Sequence, residues 1–180
     1  MYPFLRLLWQ LSKHRGDAPL PPLGTHVSTH LCLPWDLDLW RELNNGRTLT
    51  LYDMGRIPLS VRTGLSGVLR ERGLGMVVAG ASVRYRRRIT LMQRVTMKSR
   101  AVCWDARFVY IEQSLWRPDG ECANHVLLRM AVIAAQGRRG IVPPAEVMAP
   151  LGAETSPPMP GWIAAWAEAE DKRPWPPMPD

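Results

Sequence analysis

The stretch Asp36-Leu-Asp-Leu-Trp-Arg-Glu-Leu-Asn-Asn-Gly-Arg-Thr-Leu-Thr-Leu-Tyr-Asp-Met-Gly-Arg56 decides how this chain is read. It closes a strand, crosses a loop with carboxylates at Asp36 and Asp38, and enters an apolar helix at Asn44-Asn45. Asparagine caps helices well because its side-chain oxygen accepts a backbone N–H that the first turn leaves unpaired. Both aspartates therefore stand beside a helix start, where free N–H groups and the positive end of the macrodipole favour negative charge. A carboxylate facing such donors is the minimal equipment for attack on a carbonyl whose oxygen becomes anionic.

Working outward, the helix runs from Asn44 or Asn45 to about Thr63, with Gly64 as its stop. Leu49, Leu51, Tyr52 and Ile57 predict a buried helix, and Pro58 predicts a kink or break near Ile57. Asp53 in this apolar helix needs a partner such as Arg56 or Arg87, and a structural ion pair is its simplest role. Upstream, His26 to Trp35 reads as a first strand. Downstream the period becomes two from Leu74: Val77, Ala79, Ala81, Val83 and Tyr85 share one face, and Arg84, Arg86 and Arg88 the other. Three further strands follow at 94–103, 107–116 and 122–135, with a tight turn at Asp105 and a hairpin at Arg117-Pro-Asp-Gly-Glu121. A strand, a buried helix and an antiparallel meander make an α+β layout in which the sheet wraps the helix.

Composition narrows the partners. With 46% hydrophobic and 22% charged residues, 180 residues suit one domain with ragged ends. Cys32, Cys103 and Cys122 form neither a disulfide framework nor a metal quartet, and they fit a reducing, cytoplasmic compartment as small buried hydrophobes. Between Glu71 and Asp105 there are eight cations and no carboxylate. That density points to an anionic partner, with a solvated strand face as the plainer reading. Nucleic acid is disfavoured, because Tyr85 is the only aromatic between Arg72 and Arg100 and stacking platforms need more. His26 and His30 share a strand face without a third ligand, so no metal is expected, and His125 reads as an interior histidine. Residues 1–15 are too short and too charged to span a bilayer. They read as an amphipathic helix packing on its own protein, with weak membrane-surface contact as the alternative. Ten of the seventeen prolines lie from Pro143 onward, around a short helix at Gly161 to Lys172 that carries Trp162 and Trp166 one turn apart.

The spacing Asp-x-Asp-(x)5-Asn-Asn, followed by a helix, resembles the opening motif of hot-dog-fold acyl-CoA thioesterases of the 4-hydroxybenzoyl-CoA thioesterase type. The run from Tyr85 to Arg100 is similar to their second signature, a tyrosine strand end leading through a bend into an alternating strand. Cys103-Trp-Asp-Ala-Arg-Phe-Val-Tyr-Ile-Glu112 looks like the thioesterase-like subgroup. The resemblance covers residues 24–143, leaving 1–23 as an N-terminal segment and connector and 144–180 as a Pro-rich extension.

It implies a hot-dog fold that hydrolyses an acyl-CoA thioester without a cofactor, as a homodimer or a dimer of dimers. Asp38 falls on the catalytic carboxylate of the motif, and the N–H groups of Asn45 and Gly46 fall on the donors that polarise the thioester carbonyl. The family's Gly-His is replaced by Arg41-Glu42, so the histidine's part is missing or passes to Glu42, and Arg88 stands where a proline is usual. Asp36, Asn44, Tyr85, Arg87, Arg88 and Lys98 are the expected substrate contacts, with Arg87 in the pocket beside Tyr85 and the basic residues on the phosphates of coenzyme A. The rival reading is a non-catalytic acyl-thioester-binding or scaffold protein on the same fold.

Overall fold

A long central helix organises the molecule, a computed structural model that describes residues 2–134 and 140–178. In chain order the elements are α1 (Phe4–Lys13), β1 (His26–Leu31), α2 (Asn45–Arg62), α3 (Leu65–Glu71), β2 (Leu74–Tyr85), β3 (Arg94–Trp104), β4 (Phe108–Trp116), β5 (Cys122–Ala134), β6 (Ile141–Val142), α4 (Ala145–Met148) and α5 (Gly161–Lys172). Asn44 is the N-cap of α2, its side chain accepting the N–H of Arg47 at 3.0 Å. Thr48, Leu51, Tyr52, Gly55, Pro58 and Leu59 recur at three- and four-residue spacing and form the buried stripe. Leu49 and Val61 point outward, so one face of the helix is buried rather than all of it.

The break expected near Pro58 does not occur: α2 is continuous from Asn45 to Arg62. Proline forfeits a single hydrogen bond to the carbonyl of Met54, and Pro58 is itself buried in the stripe, where packing outweighs that loss. At the far end Gly64 takes a left-handed φ of 80° and turns the chain into α3.

The antiparallel sheet has the order β1-β3-β4-β5-β2, and β6 pairs with β5. Its inner face holds Val95, Met97, Val109, Ile111, Leu115, Val126, Leu128, Met130 and Val132 in one core with Leu51 and Tyr52 of α2. The first strand is shorter than predicted, ending at Leu31, because Pro34 opens a 3₁₀ turn over Pro34–Asp36. The predicted face of β2 also needs correction. Its register slips between Val78 and Gly80, so Leu74 and Met76 pack inward on one side of the slip and Val83 on the other. A bulge adds one residue and reverses the parity of the alternation, which puts Val77 opposite Ala131 of the outer face. Part of the predicted last strand, Ala135, lies outside the described residues.

Against the outer face, α5 packs through the buried Ile163 and through Trp166, whose ring meets Tyr110 edge-on at 6.4 Å. Asp105 closes its turn by accepting the N–H groups of Arg107 and Phe108, both at 2.7 Å. Cys32 and Cys103 are buried, and burial pushes both thiols up to about 11, so they stay protonated and behave as apolar fillers.

Gly55 allows α2 to approach the sheet closely. A Cβ there would press into Met97 Sδ and stand 2.7 Å from Ser99 Oγ. Gly55→Val should therefore destabilise the fold by about 1–3 kcal/mol despite its better helix propensity, as measured by urea unfolding.

Two buried histidines on β1 make stability pH-dependent. Burial holds His26 down to about 4 and His30 down to about 3, both below their ordinary 6.5. The unfolded chain takes up those protons first as the solution is acidified. Stability is thus fully present above pH 6.5 and drains away as pH falls toward about 4. Thermal melts across that range should show a falling Tm, and His30→Gln should flatten the slope.

Candidate active site

The first turn of α2 is open. The N–H groups of Asn45 and Gly46 find no acceptor among the described residues, and both residues are exposed. Arg47 N–H goes to the Asn44 side chain and Thr48 N–H to the Asn44 carbonyl at 2.9 Å, so two donors of an 18-residue helix face outward. Donors in this arrangement hold anions or developing negative charge on oxygen.

The two aspartates of the loop do different things. Asp36 is buried, accepts the N–H of Leu33 at 3.0 Å, and pairs with Arg6 at 2.7 Å and Arg47 at 3.2 Å. Its carbonyl also accepts the N–H of Asn44 at 2.9 Å. Asp36 therefore frames the helix start from inside the protein, which replaces its expected role at the substrate. Asp38 sits at the base of a small hairpin closed by the Leu37–Leu43 bridge and by its own N–H on Glu42 O at 2.9 Å. Its Oδ1 accepts the N–H groups of Trp40 at 2.9 Å and Glu42 at 3.4 Å, and Oδ2 receives neither. Arg41 at the hairpin tip adopts a φ of 59°, the left-handed bend that lets so short a hairpin close.

A cavity of about 130 Å³ adjoins the helix start and is lined by Glu42, Asn45, Thr48, Tyr85, Arg86 and Arg88 among others. Tyr85 donates its hydroxyl to the Asn45 carbonyl at 3.1 Å, and Arg88 Nε lies 2.9 Å from Glu42 Oε2. Arg87 also borders this space, but not as predicted from the face of Tyr85. The strand ends at Tyr85, the N–H groups of Arg86 and Arg87 both turn to Ala123 O, and the Arg87 guanidinium pairs at the surface with Glu121 at 2.9 Å. Lys98 stands apart from the rest. It belongs to the outer face, opposite Val27 and Ser114, and lies over the Trp116 ring at 4.7 Å. The structure thus brings Glu42, Asn44, Asn45, Gly46, Tyr85, Arg87 and Arg88 to the helix start, with Asp36 buried beneath it and Asp38 on the preceding hairpin, and places only Lys98 elsewhere.

A larger cavity, about 470 Å³ and mainly apolar, lies between the second half of α2 and the sheet, with Leu59, Leu69, Met76, Ile111 and Met130 in its walls. Asp53 and Arg56 line it as an ion pair, and Tyr2 donates to Asp53 at 3.1 Å. Burial, together with that carboxylate, pushes the Tyr2 phenol up to about 12. Arg56 reaches Gln113, whose amide bonds Ser99 Oγ at 2.8 Å, so a polar line crosses the core beside the cavity. Sequence reasoning foresaw the Asp53–Arg56 pair but not the cavity. The available signal was a carboxylate on the buried side of an apolar helix.

Among the described residues no group of three His, Cys, Asp or Glu is placed to hold a metal.

A five-stranded antiparallel path wrapped around one long helix, with the helix start left open at the surface, is the hot-dog fold of thioesterases. The chain belongs to the Thioesterase-like superfamily, whose model matches residues 32–167. Proteins called THEM6 are its relatives: that of Xenopus laevis is 36% identical over 91 residues, covering 51% of this chain and 44% of that protein. The THEM6 of Danio rerio is 31% identical over 132 residues, covering 72% and 65% respectively. The chain therefore matches only part of the length of these relatives. Among solved structures, a putative oleoyl thioesterase from Lactobacillus plantarum superposes with a TM-score of 0.67 at 19% identity, over 77% of this chain and 54% of that one. A hypothetical protein from Staphylococcus aureus, SAV2348, solved in complex with CoA, superposes with a TM-score of 0.64 at 14% identity, over 82% and 96%.

The contrast between the aspartates is measurable. Asp36→Asn leaves Arg6 and Arg47 without their buried carboxylate and should cost about 3 kcal/mol in urea unfolding, toward the lower end because both arginines keep some exposure. The same exchange at Asp38 should cost less than about 1 kcal/mol, since its contacts are those of a partly exposed loop.

Proposed function

We propose that this protein hydrolyses an acyl-CoA thioester at the start of α2. The observation that carries the reading is the pair of free N–H groups at Asn45 and Gly46, open to the surface, with Asp38 on the hairpin that precedes the helix. In this reading the thioester oxygen sits on those donors, which stabilise the charge it gains as the carbonyl is attacked. Asp38 either takes a proton from the attacking water or attacks directly and is freed by water in a second step. In both, a C–O bond forms, the C–S bond breaks, and coenzyme A leaves as the thiolate that is then protonated.

Arg86, Arg87 and Arg88 beside the cavity supply positive charge for the phosphates of coenzyme A. Support comes from membership of the Thioesterase-like superfamily and from the likeness to a fold solved with CoA. Within that superfamily we assign the chain to the 4-hydroxybenzoyl-CoA thioesterase type, on the Asp-x-Asp and Asn-Asn spacing of the loop. The active unit is proposed to be a homodimer or a dimer of dimers built through the free edge of β2, with residues 24–143 as the hot-dog unit and a cytoplasmic location.

One observation favours a second reading, a binding protein without efficient chemistry. Glu42 stands where these enzymes carry a histidine, and Arg88 holds it in an ion pair. Release of free thiol from a panel of acyl-CoA chain lengths separates the two. The parent should turn over at least one of them, and Asp38→Asn should lower turnover by roughly a hundredfold or more with its circular dichroism unchanged. Turnover within threefold of the parent removes Asp38 from the reaction, and coenzyme A binding without turnover by the parent supports the second reading.

A further inference from the structure

The helix α1 turns Arg6, Leu7, Gln10 and Leu11 toward the protein, so that polar groups share its inward side. Arg6 pairs with Asp36 and reaches the Leu31 carbonyl, Gln10 donates to the Thr29 carbonyl at 3.2 Å, and Tyr2 just before the helix binds Asp53. Two of these contacts take carbonyls of β1 and the others reach the following loop and α2, and together they fix how the helix is rolled. What faces outward is apolar: Phe4 is 66% exposed, Leu5 84%, Leu8 60% and Trp9 56%. On a ten-residue helix these four side chains form one continuous face. An amphipathic helix of a soluble domain ordinarily buries that face.

The charges at and just after the end of the helix are cationic. Lys13 lies over the Trp9 ring at 5.3 Å, and Arg15 follows, exposed. The nearest carboxylate in sequence, Asp17, is held by His14 at 2.7 Å and Arg62 at 3.4 Å. The loop tied to the helix through Asp36 carries exposed Trp35, Leu39 and Trp40, the cation Arg41 and one half-exposed carboxylate, Asp38. Tryptophan beside leucine, rimmed by lysine and arginine, is the chemistry that settles at the boundary between anionic headgroups and acyl chains. A second copy of this chain would set the same cations against each other. The free strand edge available for pairing, β2, also lies at the other end of the sheet.

We propose that the outward face of α1 docks on an anionic lipid bilayer, with the helix lying in the plane of the interface. No helix of the described residues is long and apolar enough to cross a membrane, and a helix of this length spans only about 15 Å. This docking is independent of the reaction proposed for the start of α2.

The test is co-sedimentation of the full chain with phosphatidylcholine vesicles and with vesicles that also contain phosphatidylglycerol. The chain should bind the anionic vesicles, more weakly as salt is raised. The double variant Leu5→Asn, Trp9→Asn should lose roughly tenfold or more of that binding, with its circular dichroism and light-scattering mass unchanged. Lys13→Glu with Arg15→Glu should abolish the preference for the anionic vesicles. Equal binding by parent and Leu5/Trp9 variant overturns the proposal, as does absence of binding by the parent. A fall in mass in that variant also overturns it, because a second copy would then be what covers the face.

Discussion

Asp36 is the point on which the geometry of the site depends. One buried carboxylate joins three separate segments: Arg6 from α1, Arg47 from the first turn of α2, and the backbone of its own loop at Leu33. The pairings offset the cost of desolvating the charge only because nearly every acceptor direction is used. The Asp36 carbonyl then fixes Asn44, and Asn44 fixes where the helix begins. The orientation of the free N–H groups of Asn45 and Gly46 is thus set by an ion pair that never needs to meet a ligand. A helix start left to fray would present the same groups without a fixed direction.

Most of the fold was legible because its determinants are local. Asn44, Gly64 and the turns at Asp105 and Gly120 announce themselves by residue type, and the strands by a period of two. The misreadings were of a different kind. The Ala79 bulge reverses side-chain parity through pairing with β5, a partner fifty residues away that no window of β2 contains. Pro58 looked like a breaker because propensity is counted per residue, whereas the packing that holds the helix is tertiary. Of the site, the helix start and its cap could be read directly. The division of labour between Asp36 and Asp38 could not, since it rests on Arg6, thirty residues upstream.

The two cavities lie at opposite ends of α2, the small one at its cationic, open start and the large one along its apolar second half. A ligand with a polyanionic head and an apolar tail has that same asymmetry. The polar line through Asp53, Arg56 and Gln113 is the exception within the apolar half, and being internally paired it contributes shape rather than net charge.

The sheet is bordered differently on its two sides. Along β1 the carbonyls of Thr29 and Leu31 are already taken by side chains of α1, while along β2 the outer ladder is unpaired among the described residues. Two bare borders would let chains add without end, the geometry of a growing fibre. With one border stoppered, edge-wise growth halts after a single joining event. The first helix is therefore also a terminator, limiting how many copies can line up however sticky the exposed strand becomes.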